Sequence, residues 1–232
     1  MRTMAISFVK GGKHQPLIQK QKIQAGDAGF NYSIVYTWED LEKTAEYITY
    51  KELYDVPKGA GYWMWKPYYL LRTMREMEYG DLVFYCDAGD YYSKDAVSRM
   101  LSIAEINDGR FLLSHVFANN YEYVKEYLFS KCFGGAENFS RSAPQIEAGV
   151  NAWIVTKENI DFIEDWYLLS RQKDNINDDN CGYENETRFK DYRYDQSILS
   201  LLVSKRGYKS VRINLTHDWL ICNKLTNELP GL

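Results

Sequence analysis

Asp87 and Asp90 are the residues of this chain best placed to do chemistry. They end the run Asp81-Leu-Val-Phe-Tyr-Cys-Asp87-Ala-Gly-Asp90, in which a short apolar strand stops at two carboxylates three residues apart. In an α/β protein, ligands gather at the carboxyl ends of the sheet strands. Two acids there suit a hard divalent cation, which often carries a phosphate-bearing substrate. Gly89 lets the backbone approach such a ligand closely. The same residue types also make an ordinary strand-ending turn. Upstream, Gly59-Ala-Gly-Tyr-Trp-Met-Trp65-Lys66-Pro67 sets Trp and Lys side chains before a helix. A lysine and the free N–H groups of a helix start can hold an anion. The aromatic rings alone would equally well pack the helix onto a sheet, a role that Lys66 fits poorly.

The elements that must hold these residues follow from periodicity. Met4 to Val9, Tyr32 to Thr37, Leu82 to Cys86, Phe111 to Ser114, Ala148 to Val155 and Ser210 to Ile213 read as strands. Trp38 to Tyr50, Pro67 to Tyr79, Lys94 to Glu105, Tyr121 to Phe129, Lys157 to Arg171 and Asp195 to Lys205 read as helices. The helix from Trp38 has Leu41, Ala45 and Ile48 on one face, and Pro67 stands near a helix start, where its missing N–H matters little. A polar, Gly- and Lys-rich loop is expected from Lys10 to about Asp27. Strands alternate with helices, so the fold class is α/β, with a mixed, mainly parallel sheet and helices on both faces. No Pro/Gly/Ser linker divides the chain, and residues 1–232 read as one domain. The acidic, Asn-rich stretch Gln172 to Tyr192 reads as a mobile loop or lid.

Bulk composition narrows the partners. The net charge of −4 argues against nucleic acid, whose phosphates are held by clustered Lys and Arg. The 20 Tyr and 6 Trp, where exposed, fit a protein that handles flat or ring-shaped ligands, carbohydrate among them, while most such rings read as core. Cys86, Cys132, Cys181 and Cys222 show no CxxC pairing and read as reduced thiols of a cytoplasmic protein. The apolar run at the N-terminus is too short for a signal peptide or a transmembrane segment. In that setting the Asn-x-Ser/Thr sequons at Asn31, Asn138, Asn185 and Asn214 are coincidental.

The Gly59–Pro67 run, followed about 20 residues later by Tyr85-Cys-Asp-Ala-Gly89, resembles nucleotide-sugar-dependent glycosyltransferases of the GT-A fold. In particular it is similar to small bacterial and viral polysaccharide glycosyltransferases. Gln145-Ile-Glu147-Ala-Gly149 resembles the segment that sets an acid and a Gly beside the donor sugar, and Tyr194-Asp195-Gln196 resembles an Asp-Gln pair opening a late helix. The resemblance spans roughly residues 59–200 and rests on the order and spacing of these segments.

The resemblance implies a GT-A-like, Rossmann-like sheet, a UDP- or GDP-sugar donor, a carbohydrate acceptor, and Mn2+ or Mg2+. Of the family's Asp-x-Asp metal motif, Asp87 matches directly and Asp90 matches only by a shift of one, since Gly89 stands at the third position. His217 would be the late histidine on the metal, and imidazole suits Mn2+ better than Mg2+; it would equally serve as a surface or capping residue. Phe8, Val9 and Tyr36 would line the base pocket. Trp65, Lys66, Ala88, Gly89 and Gln196 would complete the donor site, with Lys66 helping to neutralise the diphosphate. Asp195 or Glu147 would be the catalytic carboxylate. Asp195 is explained simply as an N-cap, yet a carboxylate there stays ionised and suits a developing oxocarbenium ion. His115 would face donor or acceptor, and His14 reads as a plain loop residue.

Two other readings stay open. Lys10-Gly-Gly-Lys13 after the first strand weakly fits a sugar-phosphate nucleotidyltransferase. The lack of a second Asp in register fits a non-catalytic carbohydrate-binding protein on a transferase fold.

Overall fold

The computed structural model describes residues 1–90, 92, 97–98, 101, 111–134 and 141–210. Its strands are β1 (Thr3–Val9), β2 (Tyr32–Thr37), β3 (Leu82–Cys86), β4 (Phe111–Asn119) and β5 (Pro144–Ile154). They form one sheet in the order β2-β1-β3-β5-β4. β1 pairs in parallel with β2 and β3, while β5 runs antiparallel to β3 and β4. Four of the five strands therefore point the same way, which is the mixed, mainly parallel α/β sheet expected.

Strand alternation sorts the core into two layers. Ile6, Phe8, Val83 and Tyr85 face one side of the sheet, and Ala5, Leu82, Phe84 and Cys86 face the other. Four longer helices flank it: α1 (Leu17–Asp27), α2 (Trp65–Glu76), α3 (Lys157–Ser170) and α4 (Tyr194–Lys205). α2, α3 and α4 cover the first side, burying Leu70, Phe162, Trp166 and Leu199. Ala25 of α1 and Phe30 cover the second. Thr156 caps α3 by accepting from Asn159 N, and Thr37 and Asp40 form a capping box after β2.

Several expectations are corrected. The loop expected up to Asp27 contains α1. Its buried face carries Gln21 where an apolar residue was sought, because that side chain is consumed by hydrogen bonds to Ala88 O (3.1 Å) and Asp90 O. The single helix expected over Trp38 to Tyr50 is two, Trp38–Glu42 and Ala45–Thr49. Thr44 starts the second by accepting from Tyr47 N, which turns Tyr47 inward and leaves Ile48 71% exposed. Tyr121 to Phe129 resolves into a short helix, Asn120–Tyr123, and a π-helical turn, Leu128–Cys132. β4 and β5 are longer than read from the sequence. The expected helix Lys94 to Glu105 lies outside the described residues but for Val97, Ser98 and Leu101, and the strand Ser210 to Ile213 but for Ser210.

The stretch read as a lid holds a short helix, Lys173–Ile176, with Asn175 and Ile176 buried. Lys125, 1% exposed, reaches into it. Its ammonium donates to Asp174 O (2.6 Å), Asp179 O (2.8 Å) and Asn177 O (3.0 Å). The rings of Tyr192 and Tyr127 lie 4.9 and 5.5 Å away. Cys86, Cys132 and Cys181 are free thiols, and Cys222 lies outside the described residues. Among the described residues no helix is long and apolar enough to cross a membrane.

Candidate active site

Five consecutive residues carry positive φ: Gly59 (58°), Ala60 (51°), Gly61 (87°), Tyr62 (55°) and Trp63 (61°). They make one left-handed turn, closed by Tyr62 N to Lys58 O (2.8 Å) and Trp63 N to Gly59 O (3.1 Å). Each non-glycine residue so placed costs about 1–2 kcal/mol. The two glycines are dictated by space as well. A Cβ on Gly59 would lie 2.3 Å from the Trp63 ring, and one on Gly61 would lie 2.7 Å from Tyr54 Cα. Strain of this kind gathers at functional sites. Here it sets the start of α2: Trp65 Nε1 donates to Gly59 O (3.0 Å), and the Trp65 ring stacks on Phe8 at 4.1 Å between centroids.

Lys66 follows and is buried. Its ammonium lies 3.3 Å from Asp195 Oδ2 and 3.5 Å from Asp87 Oδ1. Burial pulls its pKa down, but the carboxylates of Asp195, Asp87 and Glu147 outweigh that and raise it, so the ammonium stays charged. Asp87 is further fixed by Tyr85, whose hydroxyl donates to Oδ1 at 2.6 Å, and by its own N–H, which donates to Gly149 O at 2.9 Å. Its side chain remains 38% exposed, so one edge of the carboxylate is open.

β5 supplies the third acid through an irregularity. Leu113 pairs with Asn151, yet His115 pairs with Ile146, so β5 accommodates extra residues between those pairs. Such bulges re-aim side chains. Glu147 lies in this one, and its Oε1 accepts from Gly149 N at 3.0 Å. A Cβ on Gly149 would lie 2.9 Å from both Asp87 Oδ2 and Glu147 Oε1. Glycine is what lets the two carboxylates converge.

Asp195 differs from the N-cap expected. Arg193 is the N-cap of α4, and Asp195 sits inside the first turn, 3% exposed. Its Oδ2 has no hydrogen-bond partner, since Lys66 faces it without hydrogen-bond alignment. Burial drives its pKa up, Lys66 pulls it back, Asp87 pushes it further, and the result is about 7. The lowered pKa expected of a helix start is therefore reversed by desolvation.

These groups adjoin a cleft of about 560 Å³ at the carboxyl ends of β1 and β3. Phe8, Val9, Trp65, Asp87, Ala88 and Gly89 line it. Lys66 was expected to meet an anion directly; it lies behind Asp87 and Asp195 and holds them instead. Tyr36 is not in the cleft. Its ring stacks on Tyr69 at 3.9 Å and its hydroxyl meets Thr73 Oγ1 at 2.9 Å, under α2. Gln196 ties α4 to β5, accepting from Ala148 N (3.5 Å) and donating to Gln145 Oε1 (3.4 Å). Asp90 closes the turn through its N–H to Asp87 O (2.9 Å). Its buried carboxyl acts on Cys86 and Tyr92 on the opposite side of the sheet, adding to the burial that raises both their pKa values. His115 Nδ1 lies 2.9 Å from Ser210 Oγ, outside the cleft lining. His217 lies outside the described residues.

Sequence reasoning missed three contributors. Gln21 fixes the Asp87–Asp90 turn from α1, Tyr85 orients Asp87, and His14 lines the cleft. Gly11 and Gly12, with φ of 70° and 59°, were a legible sign that the chain bends around a space after β1.

Among the described residues no three His, Cys, Asp or Glu side chains form a cage for a metal ion. Lys66 already stands among the carboxylates. The residues present fit a cation that arrives with a diphosphate and takes Asp87 as its carboxylate ligand.

No family model matches the chain, and no curated protein matches its sequence. Among solved structures, it is similar to a glycosyltransferase involved in the glycosylation of the major capsid of PBCV-1. That pair is 12% identical with a TM-score of 0.49, over 97% of this chain and 95% of the other. It is also similar to the apo form of mouse xyloside xylosyltransferase 1, at 10% identity and a TM-score of 0.48, over 93% of this chain and 86% of the other.

Proposed function

We propose that the chain is a GT-A-type glycosyltransferase that moves a sugar from a UDP- or GDP-sugar to a hydroxyl of a glycan or lipid-linked acceptor. The observation that carries this reading is the Asp87 corner. A carboxylate is clamped by Tyr85 and Lys66 at the end of β3, with one edge open to a cleft floored by the stacked rings of Phe8 and Trp65. The aromatic floor suits a nucleoside, and the Asp87-Ala-Gly turn suits a diphosphate. Asp87 would hold a bound Mn2+ or Mg2+, which would offset charge on the departing diphosphate. Lys66 keeps Asp87 and Asp195 in place. Asp195, with a pKa of about 7, is matched to accepting a proton near neutrality. Glu147, half-buried beside Asp87, is the more exposed of the two candidate carboxylates. The free thiols support a cytoplasmic setting.

Thermal shift with UDP- and GDP-sugars, each with and without MnCl2, tests the reading. A donor at one hundred times its dissociation constant adds about 2.7 kcal/mol, a rise of about 5–10 °C for a chain of this size. The Asp87→Ala variant should lose the part of the shift that depends on metal. A flat response to every donor refutes the proposal.

A further inference from the structure

Beside the cleft lies an aromatic group that the donor reading leaves unused. Tyr62 stacks on Tyr194 at 5.3 Å between centroids, and Trp63 lies 5.6 Å from the same ring. Tyr194 is buried beneath them, and it immediately precedes Asp195. Tyr62 and Trp63 are only half-buried, and Trp63 lines the cleft with Gly59 and Ala60. Tyr62 and Trp63 hold left-handed backbone, at φ 55° and 61°. Two consecutive bulky residues in that conformation are disfavoured by about 1–2 kcal/mol each, and both pack against the edge of the core.

The rim of this shelf is polar. Lys58 and Asp178 pair at 3.3 Å, with side chains 47% and 55% exposed. Asp178 also accepts from the Tyr194 hydroxyl at 2.6 Å, and the Lys58 ammonium lies 4.6 Å from the Tyr194 ring. A flat apolar surface edged by one donor and one acceptor complements a pyranose, which has an apolar face of C–H groups and a rim of hydroxyls.

We infer that Tyr62 and Trp63, with Lys58 and Asp178, form the acceptor subsite and take the terminal pyranose of the acceptor glycan. The inference rests on the glycosyltransferase reading. The nucleoside and diphosphate take the Phe8 and Asp87–Gly89 side of the cleft, and the acceptor takes the Trp63 side, next to Asp195.

The test uses methyl glycosides of glucose, galactose, mannose, xylose and rhamnose as probes, followed by saturation-transfer NMR on the full chain. Calorimetry with UDP and GDP in MnCl2 runs alongside. Tyr62→Gly and Trp63→Gly each remove a ring while relieving left-handed backbone, and thermal melting confirms that they fold. Lys58→Ala, on the exposed rim, is the second kind of variant. The expected result is a saturated ring face for at least one glycoside, weakened about tenfold in each Gly variant and measurably in Lys58→Ala, with nucleotide binding intact in Tyr62→Gly and Lys58→Ala. No saturation of any glycoside, or equal saturation in wild type and variants, overturns the subsite while nucleotide binding leaves the transferase reading standing. Absence of UDP and GDP binding by the wild type overturns that reading, and the acceptor role with it.

Discussion

Replacing Asp195 with Asn should raise the stability relative to wild type progressively as the pH rises. In the fold the carboxyl is 3% exposed, and its pKa is lifted from the ordinary 3.8 to about 7. The unfolded chain releases this proton near pH 4, whereas the folded chain keeps it until about pH 7. Over that interval the folded state binds the extra proton, so stability falls by about 1.4 kcal/mol per pH unit. The contribution is fully present below pH 4 and lost as the pH passes 7. Between pH 5 and pH 8 the wild type should lose about 3 kcal/mol through this group alone. The amide introduced by Asp195→Asn cannot ionise, so the variant has no such loss. Lys66 keeps Asp87 and Glu147 as partners in the variant, so the lost ion pair enters as an offset and the test is the slope with pH. The assay is urea unfolding of both proteins at pH 5, 6, 7 and 8, in EDTA at fixed ionic strength. The stability of Asp195→Asn relative to wild type should rise by about 3 kcal/mol across the series, a relative shift in melting temperature of about 6–12 °C. A difference that is flat or shrinks with pH would mean that the carboxyl ionises as easily in the fold as in the open chain. The account of Asp195 as a desolvated, poorly partnered group would then be wrong.

Three further outcomes are expected. Gly149→Ala should fold with a melting temperature within about 4 °C of wild type, because only side-chain ends must move, yet sugar transfer should fall about a hundredfold as Asp87 and Glu147 are pushed apart; coupled detection of released nucleoside diphosphate measures it. Lys66→Met leaves three carboxylates without their cation and should destabilise by about 3–5 kcal/mol at pH 8, and by less at pH 5, where Asp195 is protonated, as read by urea titration. Gly61→Ala combines left-handed backbone with a clash against Tyr54 Cα and should destabilise by about 3 kcal/mol, seen as a fall of about 6–12 °C by calorimetry.

The β1, β2 and β3 strands were legible as short apolar or β-branched runs, and helices α2 to α4 as longer segments with apolar residues at helical spacing. α1 was not, because its buried face centres on Gln21, whose partners Ala88 O and Asp90 O are 67 and 69 residues away. Such a long-range pair leaves no local trace. The break at Thr44 was hidden because a hydroxyl capping Tyr47 N looks like any polar residue between two apolar ones. At the site, Asp87, Lys66, Glu147 and Asp195 stood out by type and spacing. Their protonation did not, since the pKa of Asp195 depends on how deeply the fold buries it and on the distance to Lys66. Tyr36 was misplaced because alternation fixes a strand face but not which end of that face opens to solvent.

Lys125 has a bearing on how any ion dependence is interpreted. Three main-chain carbonyls around one buried charge resemble the cradle of a bound cation, but here the charge is covalently part of the chain. The 174–179 loop, and with it Asp178, which accepts from the Tyr194 hydroxyl, thus carries its own cation. Chelators, dilution or exchange of one salt for another leave that loop in place. Order in the 174–179 loop is therefore expected to be independent of divalent ions.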